Sequence, residues 1–174
     1  MIGMVEQGQA AGPTLVVCPT TVLSHWSDKI GRYAPGLKAD IFHGGQRRLG
    51  QGLGPDWVIV TSYGLLLQDI ELLSRTNWSL VVFDEVHYLK NAQTQTYQAA
   101  LGLPAEFKLG LTGTPLENRL EDLKALFDLV LPGYLGSNHD FTARYVRPIV
   151  SDLDSQRRRE LTRLISPFVL RRLK

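Results

Sequence analysis

Leu80-Val81-Val82-Phe83-Asp84-Glu85-Val86-His87 is the stretch on which the fold turns. Its first four residues form an apolar run without polar alternation, the pattern of a strand buried on both faces in a parallel sheet. The run delivers two adjacent carboxylates, and ligands of open α/β sheets bind at the C-terminal ends of strands. In phosphoryl-transfer sites an Asp so placed can hold Mg²⁺, while the neighbouring Glu can position or deprotonate an attacking water. The same residues would also serve as an acidic helix cap, since Asp and Glu suit helix N-termini.

Working outward, residues 14–18 and 57–61 repeat this short apolar pattern, and residues 38–42 and 107–112 are fainter strand candidates. Between them the pattern turns helical. Residues 21–33 open after Pro19-Thr20, where a hydroxyl can cap free N–H groups. Residues 63–74 carry Leu65, Leu66, Ile70 and Leu73, and residues 93–103 form a polar-faced helix. Residues 120–131 place Leu120, Leu123, Leu126, Phe127, Val130 and Leu131 on one stripe, ending at Pro132-Gly133. Strands alternating with helices predict a three-layer α/β/α domain with right-handed crossovers. After a loop over residues 132–138 no strand pattern remains. Residues 141–174 read as a helical appendage with basic clusters at Arg157-Arg158-Arg159 and Arg171-Arg172.

With 174 residues, 44% of them hydrophobic and 21% charged, the chain has ordinary globular composition for one domain. A net charge of +2 permits a nucleic-acid surface without requiring one. The single cysteine, Cys18, excludes an intrachain disulfide and a cysteine zinc cluster, and the four histidines lack ligand spacing. No apolar stretch approaches the ~18 residues of a membrane span, and residues 1–4 lack the charged start and apolar block of a secretion signal. The expected setting is reducing: cytoplasmic, nucleoid or nuclear.

Three further strand ends are rich in hydroxyls. Leu109-Gly110-Leu111-Thr112-Gly113-Thr114-Pro115-Leu116-Glu117-Asn118 brings two threonines through a Gly turn that Pro115 rigidifies. A plain strand-to-helix turn would need nothing different. In Val17-Cys18-Pro19-Thr20-Thr21-Val22-Leu23-Ser24-His25-Trp26, free N–H groups and the hydroxyls of Thr20, Thr21 and Ser24 suit backbone phosphates. Trp26 reads there as core or rim packing. Val60-Thr61-Ser62-Tyr63 is similar. The arginine clusters, with Gln46-Arg47-Arg48 in a Gly-rich loop, read first as solvated faces, with contact to DNA as the alternative.

Taken in order, these segments resemble the Swi/Snf-type ATPases of helicase superfamily two. Residues 19–26 look like motif Ia, Thr61-Ser62-Tyr63 like part of motif Ib, and Asp84-Glu85-Val86-His87 like the DExH box of motif II. Residues 111–118 look like motif III, although Glu117 stands where that family often has Gln. Phe42-His43-Gly44 and Pro167-Phe168-Val169-Leu170-Arg171-Arg172 match further family segments, so the resemblance covers about Gly12 to Lys174. It implies a RecA-like P-loop NTPase lobe over residues 1–133, followed at 134–174 by the start of the family's helical insertion. It also implies ATP hydrolysis coupled to translocation along double-stranded DNA. Asp84 would ligate Mg²⁺ through water and Glu85 would be the catalytic base. His87, Thr112 and Thr114 would couple the nucleotide site to DNA, and Thr20, Thr21, Ser24, Thr61 and Ser62 would touch the phosphate backbone. A second RecA-like lobe and a DNA-bound protein substrate are the partners implied.

The family's P-loop, G-x-G-K-T, is expected roughly 25 to 35 residues before motif Ia. Only residues 1–12 lie upstream of the first strand here, and no Lys follows a Gly anywhere in the chain. Residues 1–12 read as the tail of the helix that follows the P-loop, ended by Gly12-Pro13. The expectation is a lobe incomplete at its N-terminus that, alone, neither binds ATP tightly nor hydrolyses it. An exposed strand edge and aggregation are expected with it. The alternative is a non-catalytic DNA-binding or protein-docking module.

Overall fold

The structure, a computed structural model, describes residues 11–50, 52–113, 119–151 and 153–170. Five strands form one sheet: β1 (Thr14–Cys18), β2 (Lys38–Ile41), β3 (Trp57–Ser62), β4 (Trp78–Asp84) and β5 (Ala105–Leu111). They lie in the order β2-β3-β1-β4-β5, and every pairing is parallel. β1 is central because all five of its residues are buried, Thr14 included, and it can therefore be covered on both sides.

Helix α1 (Leu23–Tyr33) links β1 to β2. α2 (Tyr63–Gln68) and α3 (Ile70–Leu73) link β3 to β4, and α4 (Gln95–Gly102) links β4 to β5. From β1 to β2 the chain steps one way across the sheet, and from β3 through β4 to β5 it steps the other. A right-handed crossover must then send α1 to one face and α2, α3 and α4 to the opposite face. The two buried clusters follow this division. Val16, Cys18, Val58, Val60, Leu80 and Val82 pack with Leu23 and Ile30 of α1. Leu15, Val17, Ile59, Val81 and Phe83 pack with Leu66, Leu73, Tyr97, Leu126 and Leu129. The three layers expected from the sequence are therefore present.

α5 (Leu120–Val130) belongs to two cores. Ala125, Leu126 and Leu129 face the sheet, whereas Leu123 and Phe127 face a third cluster with Leu135, Phe141, Tyr145, Ile149 and Leu161. That cluster is built by α6 (Asn138–Phe141), a π-helical turn (Thr142–Val146), α7 (Arg147–Ser151) and α8 (Ser155–Ile165). The helical reading of the C-terminal segment holds over its described part; Arg171 and Arg172 lie outside the described residues. α5 ends before Pro132, and Gly133 takes the left-handed backbone (φ 78°) that a glycine allows.

Two helix boundaries differ from expectation. The helix expected over 63–74 breaks at Asp69, whose carboxylate is taken by Arg47 through Nε at 2.7 Å and Nη2 at 3.1 Å. The start of the 21–33 helix is a 3-10 turn, Thr20–Val22, followed by α1 with Val22 as its N-cap. No side-chain hydroxyl caps either one, so Thr20 does not play the capping role expected of it.

Candidate active site and nucleic-acid face

Because the sheet is wholly parallel, the C-terminal ends of β3, β1, β4 and β5 lie side by side along one rim, and each carries one of the segments singled out above. The acidic pair after β4 sits between the hydroxyl-rich turn after β1 and the Thr112-Gly113 turn after β5. This is the place where an open α/β sheet receives ligands.

Asp84 is held on three atoms. Its Oδ2 accepts the indole N–H of Trp26 at 2.8 Å, and its Oδ1 accepts the backbone N–H of Glu85 at 3.0 Å. Its carbonyl oxygen accepts the hydroxyl of Tyr63 at 2.7 Å. Burial, followed by the charge of Asp84, pushes the Tyr63 phenol far above its usual range, so it remains a donor. Glu85 next adopts the left-handed backbone conformation (φ 53°, ψ 53°), which costs an L-residue with a Cβ about 1–2 kcal/mol. Such strain in a non-glycine residue concentrates at working sites. Its carboxylate points toward the β5 turn, where Oε2 accepts the Gly113 N–H at 3.5 Å.

His87 Nδ1 lies 3.2 Å from the same oxygen without hydrogen-bond alignment, and the nitrogen is buried with no hydrogen-bond partner among the described residues. The His87 ring stacks on Tyr88, which stacks on Tyr63. Gly110 lets β5 close on this turn, since a Cβ there would come within 3.1 Å of both Val86 methyls.

The site suits Mg²⁺ held through water. Each carboxylate oxygen of Asp84 accepts one of these hydrogen bonds and keeps lone-pair capacity, and Mg²⁺ commonly binds through one or two carboxylates plus waters and phosphates. The described residues contain no group of three or more His, Cys, Asp or Glu that could hold a metal ion without such help. Cys18, beneath Asp84, is no nucleophile: burial and the Asp84 charge push its thiol up to about 12.

The hydroxyl candidates divide. Thr20, Thr21 and Ser24 are exposed where α1 begins, open to an outside partner. Thr61 is fully buried and donates to the Phe42 carbonyl at 3.1 Å, and Ser62 is buried and caps α2 by accepting from Leu65 N at 3.4 Å. These two hydroxyls are spent inside the fold and do not face a phosphate backbone. Thr112 is half-buried at the end of β5. Thr114, with the rest of the 114–118 string, lies outside the described residues.

Arg47 is likewise committed, to Asp69 and the Gly44 carbonyl, which leaves Arg48 as the exposed cation of that loop. Arg157 pairs with Glu160, as does Arg144. The sequence reading missed Trp26 and Tyr63 as partners of Asp84. The available signal was that each is an aromatic with a polar handle, Tyr63 directly after β3 and Trp26 in the first turn of the helix that follows β1.

Comparison with known proteins agrees with this fold. The model of the SNF2-related domain matches residues 1–174. The putative ATP-dependent helicase/translocase YwqA of Bacillus subtilis is 39% identical over 173 residues, covering 97% of this chain and 19% of that protein. Human TATA-binding protein-associated factor 172 is 34% identical over 178 residues, covering 93% of this chain and 10% of that protein. Among solved structures, the Sulfolobus solfataricus SWI2/SNF2 ATPase core in complex with dsDNA superposes with a TM-score of 0.86 at 33% identity, covering 98% of this chain and 36% of that one. The chain thus spans about a fifth or less of these two relatives and about a third of the solved core.

Proposed function

Since the chain belongs to the SNF2-related domain family, we propose that it forms the acidic side of the nucleotide cleft, and one DNA-facing surface, of an ATP-hydrolysing motor lobe that moves on double-stranded DNA. The observation that carries this reading is the Asp84-Glu85 pair. It stands on the ligand-binding rim of a parallel sheet, with Glu85 held in a strained backbone and its carboxylate turned toward the β5 turn.

Asp84 would hold Mg²⁺ through water, the ion neutralising charge on the phosphates when bound. Glu85 would orient and deprotonate the attacking water. Its hydrogen bond from Gly113 N supports this role, because it links the carboxylate to the turn expected to couple the nucleotide site to DNA. Thr20, Thr21 and Ser24 at the start of α1 would grip one phosphate backbone, adding hydroxyl and main-chain contacts without reading bases. His87 and Thr112, flanking the acidic pair, would pass the nucleotide state to that grip, with Thr114 following Thr112 in sequence. A second RecA-like lobe would complete the cleft, and the DNA-bound protein acted on would be chosen by segments other than this one.

The test is ATP turnover by the protein at its natural length, with and without duplex DNA. Duplex should stimulate Mg²⁺-dependent hydrolysis. Glu85→Gln should cut turnover by roughly 10²–10⁴-fold, the usual worth of a general base, while nucleotide still binds. Salt-sensitive duplex binding indifferent to ATP, with no hydrolysis to lose, would point instead to a non-catalytic DNA-binding lobe.

A further inference from the structure

Trp26 joins two parts of the molecule that the proposed function keeps separate. It lies in the first turn of α1, two residues beyond Ser24 and just past the exposed Thr20 and Thr21, and its indole N–H ends 2.8 Å from Asp84 Oδ2. The bond spans 58 residues of sequence. Tyr63 acts from the other side, since it directly follows Ser62 at the end of β3 and donates to the Asp84 carbonyl. Among the described residues the carboxylate's other hydrogen bond comes from its own chain neighbour. Glu85 N grips the opposite oxygen, but that N–H belongs to the strained residue itself.

Resting on the reading of Asp84 as the Mg²⁺-side carboxylate, we propose that Trp26 is a positioning residue that transmits duplex binding at the start of α1 to the Asp84 carboxylate. A phosphate backbone seated on Thr20, Thr21 and Ser24 fixes the first turn of α1, and the indole then fixes the rotamer of Asp84. Freezing that rotamer in advance lowers the ordering cost of metal binding. The coupling is reciprocal: whatever factor duplex contributes to metal affinity, metal contributes to duplex affinity.

The experiment measures Mn²⁺ binding by electron paramagnetic resonance in the natural-length protein with ADP, with and without duplex DNA. It compares wild type with Trp26→Phe, which keeps the ring and loses the N–H. In wild type, duplex should tighten Mn²⁺ binding by about 5-fold or more, within the usual range of coupling between sites. In Trp26→Phe that factor should fall to about one, with duplex affinity in the absence of metal unchanged, whereas a merely structural defect would weaken both. An undiminished factor in Trp26→Phe overturns the proposal alone. A wild type that binds no Mn²⁺ at this site, so that Asp84→Asn makes no difference, overturns the function reading and this proposal together. Should Trp26→Phe fail to fold, the indole ¹⁵N–¹H resonance of Trp26 in wild type decides. It should shift both on adding duplex and in Asp84→Asn, and a resonance indifferent to either change refutes the link.

Discussion

Residue 85 concentrates the conflict between folding and chemistry. A left-handed backbone suits glycine, yet the position carries a carboxylate. Glu85→Gly should therefore be more stable than Glu85→Ala by about 1 kcal/mol, because alanine keeps the left-handed penalty and glycine does not. Both should lose hydrolysis; equal melting temperatures would show that the strain is absent in solution. Nothing in the letters Asp-Glu-Val-His announces this conformation, because its surroundings, the Gly113 N–H and the Gly110 strand beside Val86, come from a segment up to 28 residues downstream. Cys18 makes a second prediction. Burial and the Asp84 charge raise its thiol from 9.0 to about 12, and burial with the Asp128 charge raises the Tyr97 phenol from 10.0 to about 12. Between about pH 9 and 12 the unfolded chain releases these protons while the folded chain keeps them, so stability should fall as pH rises. Denaturant midpoints at pH 8, 9.5 and 11 check this, and a flat or rising series would contradict it.

Elements were legible in proportion to how locally their cause is written. β1, β3 and β4 could be read because strands buried on both faces must be apolar throughout. The stripe from Leu120 to Val130 could be read because its apolar residues recur at helical spacing, although the stripe alone does not show that it serves two cores. The break between α2 and α3 could not, since it depends on Arg47, 22 residues upstream. Thr61 and Ser62 could not be resolved for a related reason: a hydroxyl at a strand end suits a phosphate, a buried carbonyl or a helix cap equally, and only the Phe42 carbonyl and the Leu65 N–H decide.

β5 holds a further surprise. Its register with β4 puts Phe107, Leu109 and Leu111 on the α1 face, 58%, 47% and 36% exposed, while α1 itself lies over β2 and β3. On the opposite face, Lys108 reaches back to the carbonyls of Ala100 and Leu101 at the end of α4. An apolar edge of this kind invites pairing with another chain. In the 174-residue chain Leu109→Lys should reduce self-association, seen by light scattering on warming, while leaving the melting temperature within about 2 °C, since the site is already half-exposed. Unchanged scattering would place the sticky surface elsewhere.

At the scale of the molecule, α5 is the wall common to the sheet core and the helical appendage. The boundary read between residues 133 and 134 therefore marks a change of architecture within a continuous body of packing. Phe127→Ala on the appendage side and Leu129→Ala on the sheet side should each cost about 2–5 kcal/mol. Each should lower a single calorimetric transition, and a melt that splits in two for Phe127→Ala would show that the parts unfold separately. The order β2-β3-β1-β4-β5 also bears on how the chain is made. β1, the central strand, is the first of the five to leave the ribosome, and both of its eventual neighbours come later. Thr14–Cys18 must wait for Trp57–Ser62, which at ordinary elongation speeds takes roughly 2 to 9 s. For that interval the nascent chain carries a strongly apolar strand unpaired, a window in which chaperones, rather than the native contacts, must keep it from straying.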